Sequence, residues 1–271
     1  MNIKTTELSK QIRINVLRMT HKAKASHVGS CFSIADIVGV LYESCLNVRP
    51  EEPNWPERDR FILSKGHGGA AIYAALALKG FMPLEDLETY GNDGSQLMAH
   101  ISHKIPGVEF STGSLGHGLP FATGKALAGK KQGTKWRVFA LLSDGELDEG
   151  SNWEAFMFAA HHKLDKLVAI IDYNKLQSLT TVAKTLGLEP LAEKLKAFGW
   201  AVREVNGNDH DQLDLALNCT PWEDDKPSVL IAHTTKGKGV SFMENKVEWH
   251  YRSPNQEQLA QAIAELELNH A

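Results

Sequence analysis

Three near-continuous apolar runs, separated by helix-length text, most constrain the fold of this 271-residue chain. Val138–Leu142 (VFALL), Leu167–Ile171 (LVAII) and Val229–Ala232 (VLIA) show no polar alternation. Strands of that kind must be buried on both faces, as in a parallel sheet covered by helices on either side. The runs predict strands over 136–145, 166–175 and 227–237, with shorter ones at 61–63 and 200–207. Helical text lies between and around them. Residues 5–25 place Leu8, Ile12, Val16 and Met19 on one face. Ser33 stands where a cap would open a helix over 33–46. A helix of small residues ends at Gly80, and others are expected from 113, 149, 189 and 209, with a terminal helix over 255–271. Strand and helix alternate, so the expected fold is α/β: one domain, 1–271, built on a doubly wound, mainly parallel sheet with right-handed crossovers. Residues 81–112 are turn-rich and long for a plain connection, which points to a functional loop.

A formal charge of −4 and a pI near 6.3 argue against a nucleic-acid partner, which needs a concentrated basic face. No 18-residue apolar stretch occurs and the N-terminal text is too polar for a signal core, so no membrane is expected. Cys31, Cys45 and Cys219 are few and widely spaced, as suits reduced, mostly buried thiols in a cytoplasmic protein.

In open parallel sheets, ligands bind beyond the carboxyl ends of the strands. One strand ends Ser143-Asp144-Gly145 and another Asp172-Tyr173-Asn174. Asp144 offers a carboxylate, Gly145 a close backbone approach and Asn174 an amide oxygen, the hard oxygen donors that Mg²⁺ prefers. Either turn alone is ordinary turn chemistry. Together, with one helix between them, they return the chain to an adjacent strand tip, and the helix starting near Gly150 adds the positive end of its dipole.

At this point the sequence resembles the transketolase family. Asp144-Gly145 through Asn174 is similar to the thiamine diphosphate motif, Gly-Asp-Gly followed about thirty residues later by Asn. SDGELDEGSNWEAFMFAAHHKLDKLVAIIDYNK is similar to the N-terminal part of transketolases, and the resemblance extends from the first helix to WHYRSP. It implies thiamine diphosphate and Mg²⁺ (with Ca²⁺ or Mn²⁺ able to substitute), the metal held by Asp144, Asn174 and the Leu176 carbonyl. Gly145 would give its N–H to the diphosphate. Ser143 replaces the family's first glycine. Ser64-Lys65-Gly66-His67-Gly68 resembles the loop whose histidine, here His67, approaches the diphosphate. Thr112–Gly118 resembles the turn whose backbone, here Gly113, Ser114 and Leu115, contacts the aminopyrimidine; His117 stands where glutamine is usual.

The same resemblance assigns the histidines, of which the chain has 12. His27 would meet the donor's carbonyl-side oxygens. His250 would lie near the donor hydroxyls and the cofactor. His100 and His103 compete for one further catalytic position, and Tyr251 replaces a small residue and narrows the site. His161 and His162 read as structural, and His21, His210, His233 and His270 carry no motif. Near-neutral imidazoles suit proton transfer to substrate oxygens, while the cofactor supplies the electron sink. The glutamate that protonates the aminopyrimidine belongs to a second domain for which this sequence has no room. The expectation is therefore the N-terminal subunit of a split transketolase, moving a two-carbon ketol unit between sugars or sugar phosphates. It would pair with a C-terminal, pyrimidine-binding subunit in an α₂β₂ assembly, with Glu149 and Glu154 facing the partner and Glu149 also among the cofactor-binding residues. The rival readings are a subunit of another thiamine diphosphate enzyme (a 2-oxo acid decarboxylating or deoxyxylulose-phosphate synthase-like one) and a non-catalytic regulatory subunit. A nicotinamide dehydrogenase is set aside because no Gly-x-Gly-x-x-Gly follows the first strand.

Overall fold

A computed structural model of the chain describes residues 3–268. Five strands, β1 Arg60–Leu63, β2 Val138–Ser143, β3 Leu167–Tyr173, β4 Ala201–Asn206 and β5 Ser228–His233, form one sheet in the order β1-β2-β3-β5-β4, every pair parallel. The helices are α1 Ile3–Ala23, α2 Val28–Ser33, α3 Ala35–Val40, α4 Gly69–Leu78, α5 Gly118–Gln132, α6 Gly150–His161, α7 Val182–Thr185, α8 Leu191–Ala197, α9 His210–Asn218 and α10 Gln256–Leu268.

The pleat divides each central strand between two cores. Phe139, Leu141, Val168, Ile170 and Leu230 pack with α1, α3, α4, α9 and α10. Val138, Ala140, Leu142, Ala169, Ile171 and Ile231 pack with α5, α6 and α8. Since successive side chains point to opposite faces, an unbroken apolar run is what two covered faces require, and the expected doubly wound α/β fold is found. β4 carries exposed Arg203 and Glu204, charges that blunt an edge strand.

The expected elements are present, with one local correction. Ser33 does not open a helix: it ends α2, and its hydroxyl turns inward to donate to Asp172 Oδ2 at 2.6 Å. The text after it forms α3 and then a wider turn, Leu41–Cys45. Residues 81–112 hold a 3₁₀ segment, Leu84–Thr89, and otherwise turns. Cys31 and Cys45 are buried, whereas Cys219 is exposed. No helix among the described residues is long and apolar enough to cross a membrane. His270 lies outside the described residues.

Candidate active site

The carboxyl ends of β1, β2, β3 and β5 converge on a cleft of about 260 Å³. Lys65, His67, Leu115, Asp144, Gly145, Asn174, Leu176, Lys236, His250 and Tyr251 are among its lining residues. Ser143 and Asp172 are register partners on adjacent strands, which places Asp144 and Asn174 side by side.

At one end lie three oxygen donors. Asp144, 1 % exposed, accepts at Oδ1 from the Gly145 N–H at 2.7 Å and at Oδ2 from the Lys175 N–H. Burial, followed by the neighbouring Asp172 carboxylate, raises its pKa to about 7. Asn174 donates through Nδ2 to Asp172 Oδ2 at 3.1 Å and accepts the Leu176 N–H on Oδ1 at 3.0 Å, which fixes its amide orientation. The Leu176 carbonyl already faces a cation, the Lys236 ammonium at 3.2 Å. A buried carboxylate short of positive charge, an oriented amide oxygen and a cation-facing carbonyl fit a hard divalent ion.

The other end gathers imidazoles. His27 lies with its ring centroid 5.0 Å from His67, 5.1 Å from His250 and 6.0 Å from His100. It adopts a left-handed backbone, φ 75°, unusual outside glycine. Its N–H donates to the His250 carbonyl at 2.8 Å, tying the start of α2 to the tail turn. Burial, then the His100 charge, lowers its pKa to about 4. Burial, then Lys236, lowers His250 to about 3, and His67 is lowered mainly by burial and then Lys65. Lys236, within 3.0 Å of His250 Nδ1, is itself depressed to about 8, first by burial and then by Lys65. Each positive charge here disfavours the others, so the cluster favours an anion.

Several organising residues carry no mark that the sequence motifs would catch. Asp172, fully buried, accepts from Lys65 Nζ and Ser33 Oγ at 2.6 Å each, and from Thr234. A carboxylate closing an apolar strand was a usable signal, because a buried charge must be paired. Glu146, also 0 % exposed, accepts from Ser64 Oγ at 2.5 Å, the Gly116 N–H at 2.9 Å and the Ser143 N–H at 3.3 Å. It braces three strand-end loops, and its sequence neighbourhood gave no hint of this. Lys236 carried no signal beyond a Lys-Gly-Lys-Gly turn. The loops also interlock through glycine. A Cβ on Gly66 would lie 2.2 Å from the Thr112 carbonyl oxygen, and one on Gly118 would lie 2.3 Å from Ser64 Oγ.

Of the competing histidines, the structure brings His100 to the cluster; His103 is turned away to Ser111 Oγ at 2.6 Å. Gly113 faces the His100 ring, while His117 folds back on the Leu115 carbonyl at 2.9 Å. Leu115 lines the cleft. Ser114 is exposed on the same turn. Glu149 and Glu154 are exposed outside the cleft, at the start and on the outer face of α6. His161 ends that helix with His162 as its cap.

A family model described as transketolase, thiamine diphosphate binding domain, matches residues 4–270. The chain is 40% identical over 267 residues to one subunit of an apulose-4-phosphate transketolase of Phocaeicola vulgatus, covering 98% of this chain and 95% of that protein. It is 42% identical over 257 residues to a 6-deoxy-6-sulfo-D-fructose transketolase subunit of a Clostridium species, covering 94% of each. Among solved structures, a transketolase from Campylobacter jejuni superposes with a TM-score of 0.93 at 32% identity, covering 98% of this chain but 43% of that one. One from Leishmania mexicana gives 0.92 at 29% identity, covering 97% and 41%.

Proposed function

The chain belongs to the transketolase family, and on that premise we propose that it is the diphosphate- and metal-holding subunit of a two-chain transketolase, active only with a pyrimidine-binding partner. The carrying observation is the meeting, at four strand tips, of an oxygen-donor set and a cluster of histidines held neutral. Asp144, Asn174 and the Leu176 carbonyl would hold Mg²⁺. Gly145, His67 and His250 would meet the diphosphate, the turn Gly113–Leu115 the aminopyrimidine, and Glu149 the rim of the cofactor site. When bound, thiamine diphosphate supplies the electron sink for ketol transfer. The chain's own residues orient the donor and move its protons. In the free chain burial holds His27 at about 4 and His250 at about 3, below the near-neutral range expected from the sequence, so at pH 7 both rings are neutral and can each accept and donate a hydrogen bond. His100 borders the same space.

A partner is supported by extent: the chain spans nearly all of two relatives named as subunits, but under half of the solved transketolases. It is supported by surface too. On α6, Glu154, Met157, Phe158 and His161 share one exposed face, with Met157 54% and Phe158 44% exposed. An exposed apolar pair on the helix that follows the Asp144 turn suits burial in an assembly. We take the chain as one domain, working in the cytoplasm on sugars or sugar phosphates within an α₂β₂ complex. The test is to purify the chain with and without its partner and assay ketol transfer with added Mg²⁺ and thiamine diphosphate. Turnover only in the complex is expected; robust turnover by the chain alone would refute the reading.

A further inference from the structure

The turn Val247–His250 is pinned on three sides. Trp249 is buried, 2% exposed, and its indole N–H donates to the Phe242 carbonyl at 2.8 Å. The His250 carbonyl accepts the His27 N–H, and the Tyr251 N–H closes the turn on the Glu248 carbonyl at 3.2 Å. Tyr251 therefore leaves a rigid base, yet its side chain enters no core: the residue is 58% exposed. Its ring lies 4.8 Å from His250 and 6.3 Å from His27 and lines the cleft. An aromatic residue gains stability by burial, and among the described residues nothing in this chain by itself buries this one. Its ring neighbours are His250 and His27, the two histidines proposed to face the donor.

We propose that the ring of Tyr251 is a specificity-determining wall, limiting how much substrate bulk fits beside His27 and His250. The inference rests on the reading of the cleft as the ketol-transfer site and deepens it to the choice of donor. In a cleft of about 260 Å³, Tyr251 and His250 are its aromatic lining from the tail turn. The pinned turn fixes where its ring leaves the backbone, beside His250 and His27. Admitting or rejecting a single methylene-sized group changes relative rates by roughly 10- to 200-fold. Selection therefore acts on donors that differ in bulk beyond the transferred two-carbon unit.

The test compares wild type, Tyr251→Gly and Tyr251→Phe in the assembled complex, with saturating partner, Mg²⁺ and thiamine diphosphate. Donors are hydroxypyruvate, xylulose 5-phosphate and fructose 6-phosphate. Tyr251→Gly is expected to raise kcat/KM for the larger ketoses relative to hydroxypyruvate by about tenfold or more, and Tyr251→Phe, which keeps the ring, is expected to retain the wild-type ratio within about twofold. A Tyr251→Gly complex whose three rates change by one common factor, or not at all, would overturn the wall. So would a Tyr251→Phe profile that matches the glycine variant. A wild-type complex inactive with every donor would instead overturn the parent reading, and this one with it.

Discussion

Lys65 and Asp172 form an ion pair of 2.6 Å with side chains 1% and 0% exposed, directly beneath the strand tips that carry Asp144 and Asn174. The pair joins the β1 loop to the end of β3, and Asp172 also orients the Asn174 amide. Removing one partner leaves a buried charge without compensation, which costs roughly 3–5 kcal/mol. Asp172→Ala and Lys65→Ala should each lower Tm by roughly 6–20 °C for a chain of this size. Calorimetry checks this, and a change near zero in either variant would remove the pair from the account.

Stability should depend on pH through the histidine cluster. Folded pKa values of about 4 for His27 and about 3 for His250 lie below the ordinary 6.5, so the unfolded chain takes up protons first as pH falls. Their contribution is complete above pH 6.5 and is lost progressively toward pH 4 and below. Asp144, raised to about 7, titrates with the opposite sign over the same range, so the test is a difference: His27→Asn tolerates the left-handed backbone, and its Tm relative to wild type should rise as pH falls from 6.5 to 4. Parallel curves for variant and wild type would count against the assignment.

Two glycines should respond oppositely to alanine. Gly66→Ala drives a methyl group toward the Thr112 carbonyl, forcing apart the loops that bear His67 and the Thr112–Gly118 turn. Overpacking of this kind costs roughly 1–3 kcal/mol, and thiamine diphosphate affinity should fall at least about tenfold, the equivalent of 1.4 kcal/mol. Gly124, inside α5, has no neighbour within 4 Å of an added methyl group. Gly124→Ala should stabilise the chain by roughly 0.5–1 kcal/mol through helix propensity. Denaturant titrations of both variants distinguish these signs.

The α6 face offers a test of assembly separate from chemistry. Met157→Asp combined with Phe158→Asp changes exposed positions, so the isolated chain should keep its stability within roughly 0.5 kcal/mol per site. The complex with the partner should dissociate at a concentration at least about tenfold higher, because two carboxylates introduced into an apolar contact would be desolvated without partners. Sedimentation velocity reads this directly. An unchanged dissociation profile would place the interface elsewhere.

The sheet was legible because double burial leaves a plain mark: VFALL, LVAII and VLIA had few structures open to them besides covered parallel strands. The two strand tips were legible because Asp144 and Asn174 each follow such a strand directly, and the structure sets them side by side on one cleft. What escaped was set by tertiary contact. Ser33 looked like a helix cap until Asp172 claimed its hydroxyl, and nothing local to Glu146 reveals that three loops converge on it. His100 and His103 could be separated only by where their loop folds, one toward His27 and the other toward Ser111. Lys236 reaches the Leu176 carbonyl across sixty positions of chain. Pairings at that range have no local pattern to betray them.

Calorimetric titration of the assembled complex with thiamine diphosphate, in Mg²⁺ and again in excess chelator, tests the central claim most directly. Saturable binding that requires the metal is expected in wild type, with a loss of at least about a hundredfold, or 2.7 kcal/mol, in Asp144→Ala. Metal-independent binding, or an Asp144→Ala complex that binds as wild type does, would contradict the account.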